Sequence, residues 1–324
     1  MDRPDNDQTF QRVLITGGCG AIGSEVLNYF KKSYPNAHFV NLDSLTYAGK
    51  AEHVEPPYDN YTFVYGDICD AKTVSHVLDT HKPDTVIHFA AETHVDNSFG
   101  NSFRFTQTNV LGTHTLLECV RLYIENGNKF NSFVHMSTDE VYGSVNDDEP
   151  AKGEDALFQP SNPYSATKAG AEMLCHAYEK SFKLPIVIIR CNNAISKYQH
   201  PEKLIPSVIS SVKNGTRIKV HGRGMSKRTF VHTDDIASAI QVILCKGVIG
   251  STYNIGTDNE FTVMEVVEAI LSKVHPGADV ADWVDYVPDR AFQDYRYSID
   301  TTALRRLGWV EKVSFDDAID RLLA

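Results

Sequence analysis

A chain of 324 residues, 42% hydrophobic and 23% charged, has the make-up of an ordinary globular protein with room for one large domain or two joined ones, which excludes the disordered and fibrous classes. The net charge of −11 argues against nucleic acid as a partner, although an acidic total is compatible with a local cationic pocket for a diphosphate. No stretch approaches the roughly 18 uninterrupted apolar residues of a membrane span, and the polar stretch from Met1 to Phe10 lacks the apolar centre of a signal peptide, so no membrane partner and a cytoplasmic location are expected.

Taken in chain order, Gln11 to Ile15 reads as a short buried strand and Ile22 to Lys32 as a helix with Ile22, Val26, Leu27 and Phe30 along one side. Between them runs Thr16-Gly17-Gly18-Cys19-Gly20-Ala21-Ile22-Gly23. Its glycines allow a tight turn and close backbone approach to a pyrophosphate, and the helix that follows points its free N–H groups at the negative oxygens. A second strand, His38 to Leu42, ends in Asp43, twenty positions after Gly23. A carboxylate there accepts hydrogen bonds from both ribose hydroxyls and repels a 2′-phosphate, so NAD is favoured over NADP.

Further strands are predicted at Thr62 to Tyr65, Thr85 to Phe89 and Ser132 to Met136, separated by helical patterns at Ala71 to His81 and Asn109 to Tyr123. Strands alternating with helices, and apolar almost throughout, mean an α/β fold with a doubly wound parallel sheet of the Rossmann type. Ligands then sit beyond the strand ends, where Gly17, Asp43, Asp67, Ala90 and Ser137 fall.

Past the fifth strand come Thr138-Asp139-Glu140 and then Tyr164-Ser165-Ala166-Thr167-Lys168. Tyr164 and Lys168, four residues apart, share one helix face, so the ammonium is expected to lower the phenol pKa and make Tyr164 a proton acceptor for oxidising an alcohol. The adjacent carboxyls add a proton donor for a leaving hydroxyl and a base for a carbon-bound proton, which points to redox chemistry coupled to loss of water. Each motif taken alone favours a structural role, such as a helix N-cap with acidic first-turn residues, and it is their order after a nucleotide-binding signature that favours catalysis. The six cysteines form no Cys-x-x-Cys pair and the thirteen histidines no His-Glu-x-x-His, so neither a disulfide framework nor a metal is expected.

These residues carry a family resemblance. Gly-Gly-x-Gly-x-Ile-Gly-Ser from Gly17, Asn41-Leu42-Asp43-Ser44-Leu45-Thr46-Tyr47-Ala48-Gly49, Gly66-Asp67-Ile68, His88-Phe89-Ala90-Ala91-Glu92-Thr93-His94-Val95-Asp96, Ser137-Thr138-Asp139-Glu140-Val141-Tyr142-Gly143, Asn162-Pro163-Tyr164, Pro201-Glu202-Lys203-Leu204-Ile205-Pro206, Tyr253-Asn254-Ile255-Gly256 and Asp289-Arg290 occur in order. The chain resembles extended short-chain dehydrogenase/reductases, and among them nucleotide-sugar 4,6-dehydratases of the dTDP-glucose or UDP-glucose type. The resemblance implies that Tyr164 and Lys168 serve C4 oxidation, that Thr138 orients the sugar or a shared proton, and that Asp139 and Glu140 act as acid and base. It implies cofactor contacts from Gly17, Gly20, Ala21, Ile22, Gly23, Asp43, Ser44, Leu45, Thr46, Asp67, Ile68, Phe89, Ala90, Ala91, Thr108, Tyr164 and Lys168. Substrate contacts follow from Thr93, Thr138, Asn193, Lys203, Leu204, Lys219, Val220, His221, Arg228, Asn254 and Arg290. A homodimer paired through helices near Asn109 to Tyr123 and Ala166 to Phe182 is also implied.

The expected division is a NAD-binding domain, residues 1–186 plus about 230–256, and a nucleotide-sugar domain, residues 187–229 plus 257–324, with Thr233-Asp234-Asp235 capping a helix over Ile236 to Leu244. Two departures put contacts in doubt: Ala194-Ile195-Ser196-Lys197 stands where relatives carry Tyr-Gly-Pro, and Ala291-Phe292-Gln293 follows Arg290 in place of Pro-Gly-His. A 4-epimerase or a C6 decarboxylase on the same scaffold, and a catalytically silent NAD-binding protein, are the alternatives. Asp139, which an epimerase does not need, favours dehydration.

Overall fold

The computed structural model describes residues 10–56, 58–289 and 294–324. Its first half runs β1 (Arg12–Thr16), α1 (Ala21–Ser33), β2 (His38–Asp43), β3 (Tyr61–Tyr65), α2 (Ala71–His81), β4 (Thr85–His88), the short helices α3 (Val95–Gly100) and α4 (Ser102–Phe105), a π-helical turn over Thr106–Gly112, α5 (Thr113–Glu125), β5 (Ser132–Thr138) and α6 (Pro163–Phe182). The second half runs β6 (Ile186–Cys191), β7 (Asn193–Ile195), α7 (Leu204–Asn214), β8 (Ile218–His221), β9 (Lys227–His232), α8 (Thr233–Lys246), β10 (Thr252–Ile255), β11 (Glu260–Thr262), α9 (Val263–Val274), α10 (Val280–Trp283), β12 (Val284–Val287), α11 (Thr302–Arg306) and α12 (Phe315–Leu323).

Seven strands form one parallel sheet in the order β10-β6-β5-β4-β1-β2-β3. It is the doubly wound fold that the alternating pattern predicts. Every residue of β4, β5 and β6 is buried, because helices cover both faces of the sheet. One face packs Val26, Leu27 and Phe30 of α1 and Ile236, Ile240 and Ile243 of α8 against the strands. The other packs Val74 and Leu78 of α2, Leu116 and Val120 of α5, and Cys175 and Tyr178 of α6. Each large aliphatic side chain fully buried in this way contributes about 1.5–3 kcal/mol. A separate cluster, including Ile205, Val208, Val220, Val266, Ile270 and Ile319, forms the core of the C-terminal pieces.

Local signals set the helix ends near the cleft. Asp70 caps α2 by accepting from the Lys72 N–H, and Asn162 and Ser165 form a reciprocal capping box at the start of α6, with Pro163 in the first turn. β5 runs to Thr138, two residues beyond the predicted end, and its extension pairs with Arg190 and Cys191 of β6. The helix expected from Asn109 begins as the π-helical turn and becomes α-helical only at Thr113. The cap predicted at Thr233-Asp234-Asp235 is corrected: α8 starts at Thr233, and the ring of His232 accepts from the Asp234 N–H. The Thr233 hydroxyl donates instead to Ile195 O. The Asp235 carboxylate accepts from the N–H groups of Lys312 and Val313, each at 2.9 Å, tying the C-terminal segment to α8.

β9 pairs with β7 and β11 in a second, three-stranded sheet, and β8 pairs with β12 in a third. α8 packs on α1, and β10 closes the edge of the main sheet. The chain therefore crosses over the C-terminal edge of the sheet several times, and a cleft opens there.

Candidate active site

The cleft has a volume of about 510 Å³. Of the expected cofactor contacts, Gly17, Gly20, Ala21, Ile22, Gly23, Asp43, Ser44, Thr46, Asp67, Ile68, Phe89, Ala90, Ala91 and Thr108 line it, together with Tyr164 and Lys168. Gly17 has φ of +73°, and a Cβ there would lie 2.5 Å from the Ala90 nitrogen, so the loop closes onto the end of β4 only with glycine at this position. The N–H groups of Ala21, Ile22 and Gly23 open α1 and have no partner within the helix, which makes them donors for a phosphate. Asp43, at the end of β2, accepts from the N–H of Cys19 at 2.9 Å and of Leu45 at 2.8 Å. Those bonds fix the carboxylate and leave it acceptor capacity for two ribose hydroxyls. The cradle, the helix N-terminus and the aimed carboxylate fit a dinucleotide. Leu45 itself does not line the cleft; its backbone is turned to φ +48° and serves Asp43 through the N–H.

The reactive groups meet where β5 ends. Thr138 caps a short 3-10 turn, Asp139–Tyr142, and its hydroxyl accepts from the Glu140 N–H. This turn puts Asp139 and Glu140 in sequence at the floor of the cleft beside Tyr164 and Lys168. The Thr138 hydroxyl donates to Oδ1 of Asp139 at 3.1 Å and also favours the ionised form of the nearby Tyr164 phenol, so one hydroxyl stands between the two. Burial first, and the charge of Glu140 second, push the Asp139 carboxyl up to about 7. Burial also raises Glu140, against which the Asn162 amide, at 3.2 Å, and the charges of Arg228 and Lys203 favour the ionised form. Two neighbouring carboxyls thus differ: Glu140 keeps partners for its charge, and Asp139 is biased to hold a proton.

The expected effect of Lys168 on Tyr164 is corrected. Burial, then Glu140, drives the Tyr164 phenol upward, opposed only by the Thr138 hydrogen bond. The Lys168 ammonium instead donates to Met136 O at 2.6 Å, and burial lowers it to about 8. The two side chains do share one helix face and one cleft, as their spacing predicts.

On the sugar side, Thr93, Asn193 and Lys203 line the cleft, and Lys203 Nζ donates to Thr93 O at 3.1 Å. Arg228 stands off the cleft wall; its guanidinium donates to the carbonyls of Lys227, Asp294 and Tyr295 and lies over the Tyr297 ring. Leu204 begins α7 and packs into the C-terminal core. Lys219 and His221 are exposed on β8, whereas the Val220 side chain is 1% exposed and belongs to that core. Asn254 is a second correction: it is fully buried, its Nδ2 donates to the carbonyls of Lys152 and Asp300, and its Oδ1 accepts from the Tyr142 hydroxyl. With every polar atom of its amide engaged inside the protein, it has none to offer a ligand. Arg290 and the Ala291-Phe292-Gln293 departure lie outside the described residues.

The other departure is visible. Ser196 donates to Ala21 O, Lys197 N–H donates to Glu25, and the Tyr198 ring stacks on His53 with centroids 4.4 Å apart. This segment is sewn to α1 and to the loop after β2, and Tyr198 enters the cleft wall. Asn192, Cys191, Arg104, Gln199 and His200 also line the cleft without having been predicted. For Asn192 a signal existed: it directly follows a buried strand, the position where this fold places its ligands.

Comparison with known proteins agrees with this geometry. Residues 14–322 match the model of the family described as GDP-mannose 4,6 dehydratase. The chain is 42% identical over 316 residues to a trifunctional UDP-glucose 4,6-dehydratase/UDP-4-keto-6-deoxy-D-glucose 3,5-epimerase/UDP-4-keto-L-rhamnose-reductase of Arabidopsis thaliana, covering 97% of this chain and 47% of that protein. It therefore spans about half the length of that relative. A dTDP-D-glucose 4,6-dehydratase of Mus musculus is 39% identical, over 96% of this chain and 87% of its own. Among solved structures, the dTDP-glucose 4,6-dehydratase DesIV of Streptomyces venezuelae, with NAD and TYD bound, superposes with a TM-score of 0.89 at 39% identity, covering 97% of this chain and 96% of its own.

Proposed function

Because this chain belongs to the GDP-mannose 4,6-dehydratase family of extended short-chain dehydrogenase/reductases, we propose that it binds NAD and dehydrates a nucleotide-activated glucose, dTDP- or UDP-linked, to the 4-keto-6-deoxy sugar. The observation that carries this reading is the pair Asp139 and Glu140 set beside Tyr164 in a single cleft, the first biased to hold a proton, the second supplied by the Asn162 amide and the charges of Arg228 and Lys203 with support for its ionised form.

The α1 N-terminus would hold the pyrophosphate and Asp43 the adenosine ribose. Bound there, NAD supplies a hydride acceptor for C4 and a hydride donor for C6. Tyr164, once its buried phenol has given up its own proton, takes the proton of the C4 hydroxyl as the ketone forms. The ketone acidifies the neighbouring C5–H, which Glu140 removes. Asp139 gives its proton to the C6 hydroxyl, which departs as water, and Glu140 returns its proton to C5. At that point Tyr164 holds one proton too many and Asp139 one too few. The Thr138 hydroxyl, bonded to Asp139 and close to Tyr164, would be the path by which the balance is restored. Neither metal nor external reductant is required by this sequence of steps.

Asn193, Thr93 and Lys203 are the sugar and phosphate contacts that this reading retains. Two copies would pair through the outer faces of α5 and α6, where Leu122, Met173 and Phe182 are partly exposed. The cytoplasm is the implied compartment, in keeping with six cysteines that form no disulfide. The test is direct: incubate the protein with dTDP-glucose and with UDP-glucose and analyse the sugar. A 4-keto-6-deoxy product is expected from at least one. An epimerised or unchanged sugar from both would overturn the proposal.

A further inference from the structure

β5 and β6 run side by side in the register Ser137↔Arg190 and Thr138↔Cys191. Continued by one rung, that register sets Asp139 opposite Asn192, and the side chains meet: Asn192 Nδ2 donates to Oδ2 of Asp139 at 2.6 Å. Asn192 is 4% exposed, and its own N–H donates to Ile255 O at 2.9 Å, so its backbone is fixed from the neighbouring strand end. Its amide oxygen is buried with no hydrogen-bond partner among the described residues. That oxygen is pressed against Gly256, where an added Cβ would lie 1.9 Å from it. An orphaned buried acceptor costs stability. An amide kept in such a place, with a glycine making room for it, is an arrangement the fold does not need for its own sake.

An amide N–H can only donate. While Nδ2 points at Oδ2, that oxygen must be the acceptor of the carboxyl group, and its proton resides on the other oxygen. The other oxygen is Oδ1, 3.1 Å from the Thr138 hydroxyl, which accepts from Oδ1 while Asp139 holds its proton and donates to it once the proton has gone. We propose that Asn192 is a positioning residue for the acid: its amide, seated by Gly256, keeps the transferable proton of Asp139 on Oδ1, on the side of Thr138 and the substrate. This rests on the dehydratase reading above. Asn192 also stabilises the ionised carboxyl that remains once the proton has gone, working against the burial and the Glu140 charge that favour the protonated form.

The experiment compares wild type, Asn192→Ala and Gly256→Ala with NAD and whichever of dTDP-glucose or UDP-glucose the wild type turns over. Asn192→Ala removes the amide without adding bulk; Gly256→Ala displaces it while leaving Asn192 and Asp139 in the sequence. Reduced nicotinamide is followed in single turnovers, alongside the 4-keto-6-deoxy product across pH. C4 oxidation is expected to stay near the wild-type rate, while water loss falls about 10- to 100-fold, the size of one charge-assisted hydrogen bond. Reduced cofactor then accumulates, and the alkaline limb of product formation moves to higher pH, because the ionised carboxyl has lost a donor. A folded Asn192→Ala protein with unchanged water loss and an unmoved alkaline limb would overturn the inference. So would equal loss of oxidation and elimination, which marks general damage to the cleft. A wild type that dehydrates neither sugar nucleotide would instead defeat the dehydratase reading on which the inference stands, and the two failures are told apart by the wild-type control alone.

Discussion

Two rungs of one strand ladder, with a single rung between them, handle a buried carboxyl in opposite ways. On the first, Ser137 of β5 faces Arg190 of β6, and both reach Glu172 of α6: Arg190 donates to its carboxylate through Nε at 3.0 Å and Nη2 at 2.9 Å, and the Ser137 hydroxyl adds another bond. The remaining donors of Arg190 go to the Tyr142 hydroxyl and Glu154 O, and its guanidinium lies over the rings of Tyr142 and Phe158. Two rungs on, Asp139 faces Asn192, an amide in place of a guanidinium, and its carboxyl is pushed up to about 7. The first rung neutralises its acid and holds the sheet to α6. The second withholds a cation from its acid and so keeps it protonated and reactive. Where a buried carboxyl is meant for chemistry, the countercharge that would settle it is missing.

The largest effect should come from removing the acid. Asp139→Asn is expected to slow water loss by about 10²–10⁴-fold while leaving C4 oxidation, so that reduced cofactor builds up in a single turnover. Elimination at the wild-type rate would take Asp139 out of the acid role. The protein's stability near neutral pH should not suffer, since the variant carries no buried charge at that rung.

The rung that carries Arg190 should respond the other way round. Arg190→Met leaves Glu172, fully buried, without its cation, and such a change costs about 3–5 kcal/mol, read as a lower urea midpoint. The double variant Arg190→Met with Glu172→Leu should recover much of that loss. A single variant as stable as the wild type would mean that this ion pair is not what holds α6 to the sheet.

The smallest effect lies in the pH dependence of folding. Asp139 has its pKa raised in the folded state from an ordinary 3.8 to about 7, so its stabilising contribution is complete below the ordinary value and fades as pH climbs to about 7. The unfolding free energy of the wild type minus that of Asp139→Asn should therefore fall steadily over this window and level off above it. A difference that stays flat from acid to neutral pH would show that the carboxyl is not held protonated by the fold.

The parts of the molecule legible in the sequence are those written over short stretches. The glycine loop, Asp43 at a strand end, the capped start of α6 and the four-residue spacing of Tyr164 and Lys168 are each set by neighbours in the chain, and each stands in the cleft. What escaped depends on partners distant in sequence. The cap of α8 passed to His232 because Thr233 and Asp235 are engaged by Ile195 and by Lys312 and Val313. Asn254 sits in a motif that suggests a ligand, yet Tyr142, Lys152 and Asp300 use up its amide. Asn192 acquires meaning only through the β5–β6 register, and the phenol of Tyr164 is governed by burial, which spacing along a helix does not report.

Glu55 gathers the Tyr198 hydroxyl at 2.8 Å, Lys32 of α1 at 3.2 Å and the Lys197 ammonium, and these bonds hold its carboxyl down at about 2. Beside the cleft wall at Tyr198, this chain holds its backbone with charged side chains on the surface. A turn made of proline is indifferent to the surrounding electrolyte, but a knot of exposed ions loosens as counter-ions crowd in. The wall of the cleft at Tyr198 thus takes its firmness partly from the medium, and ionic strength becomes a control on it.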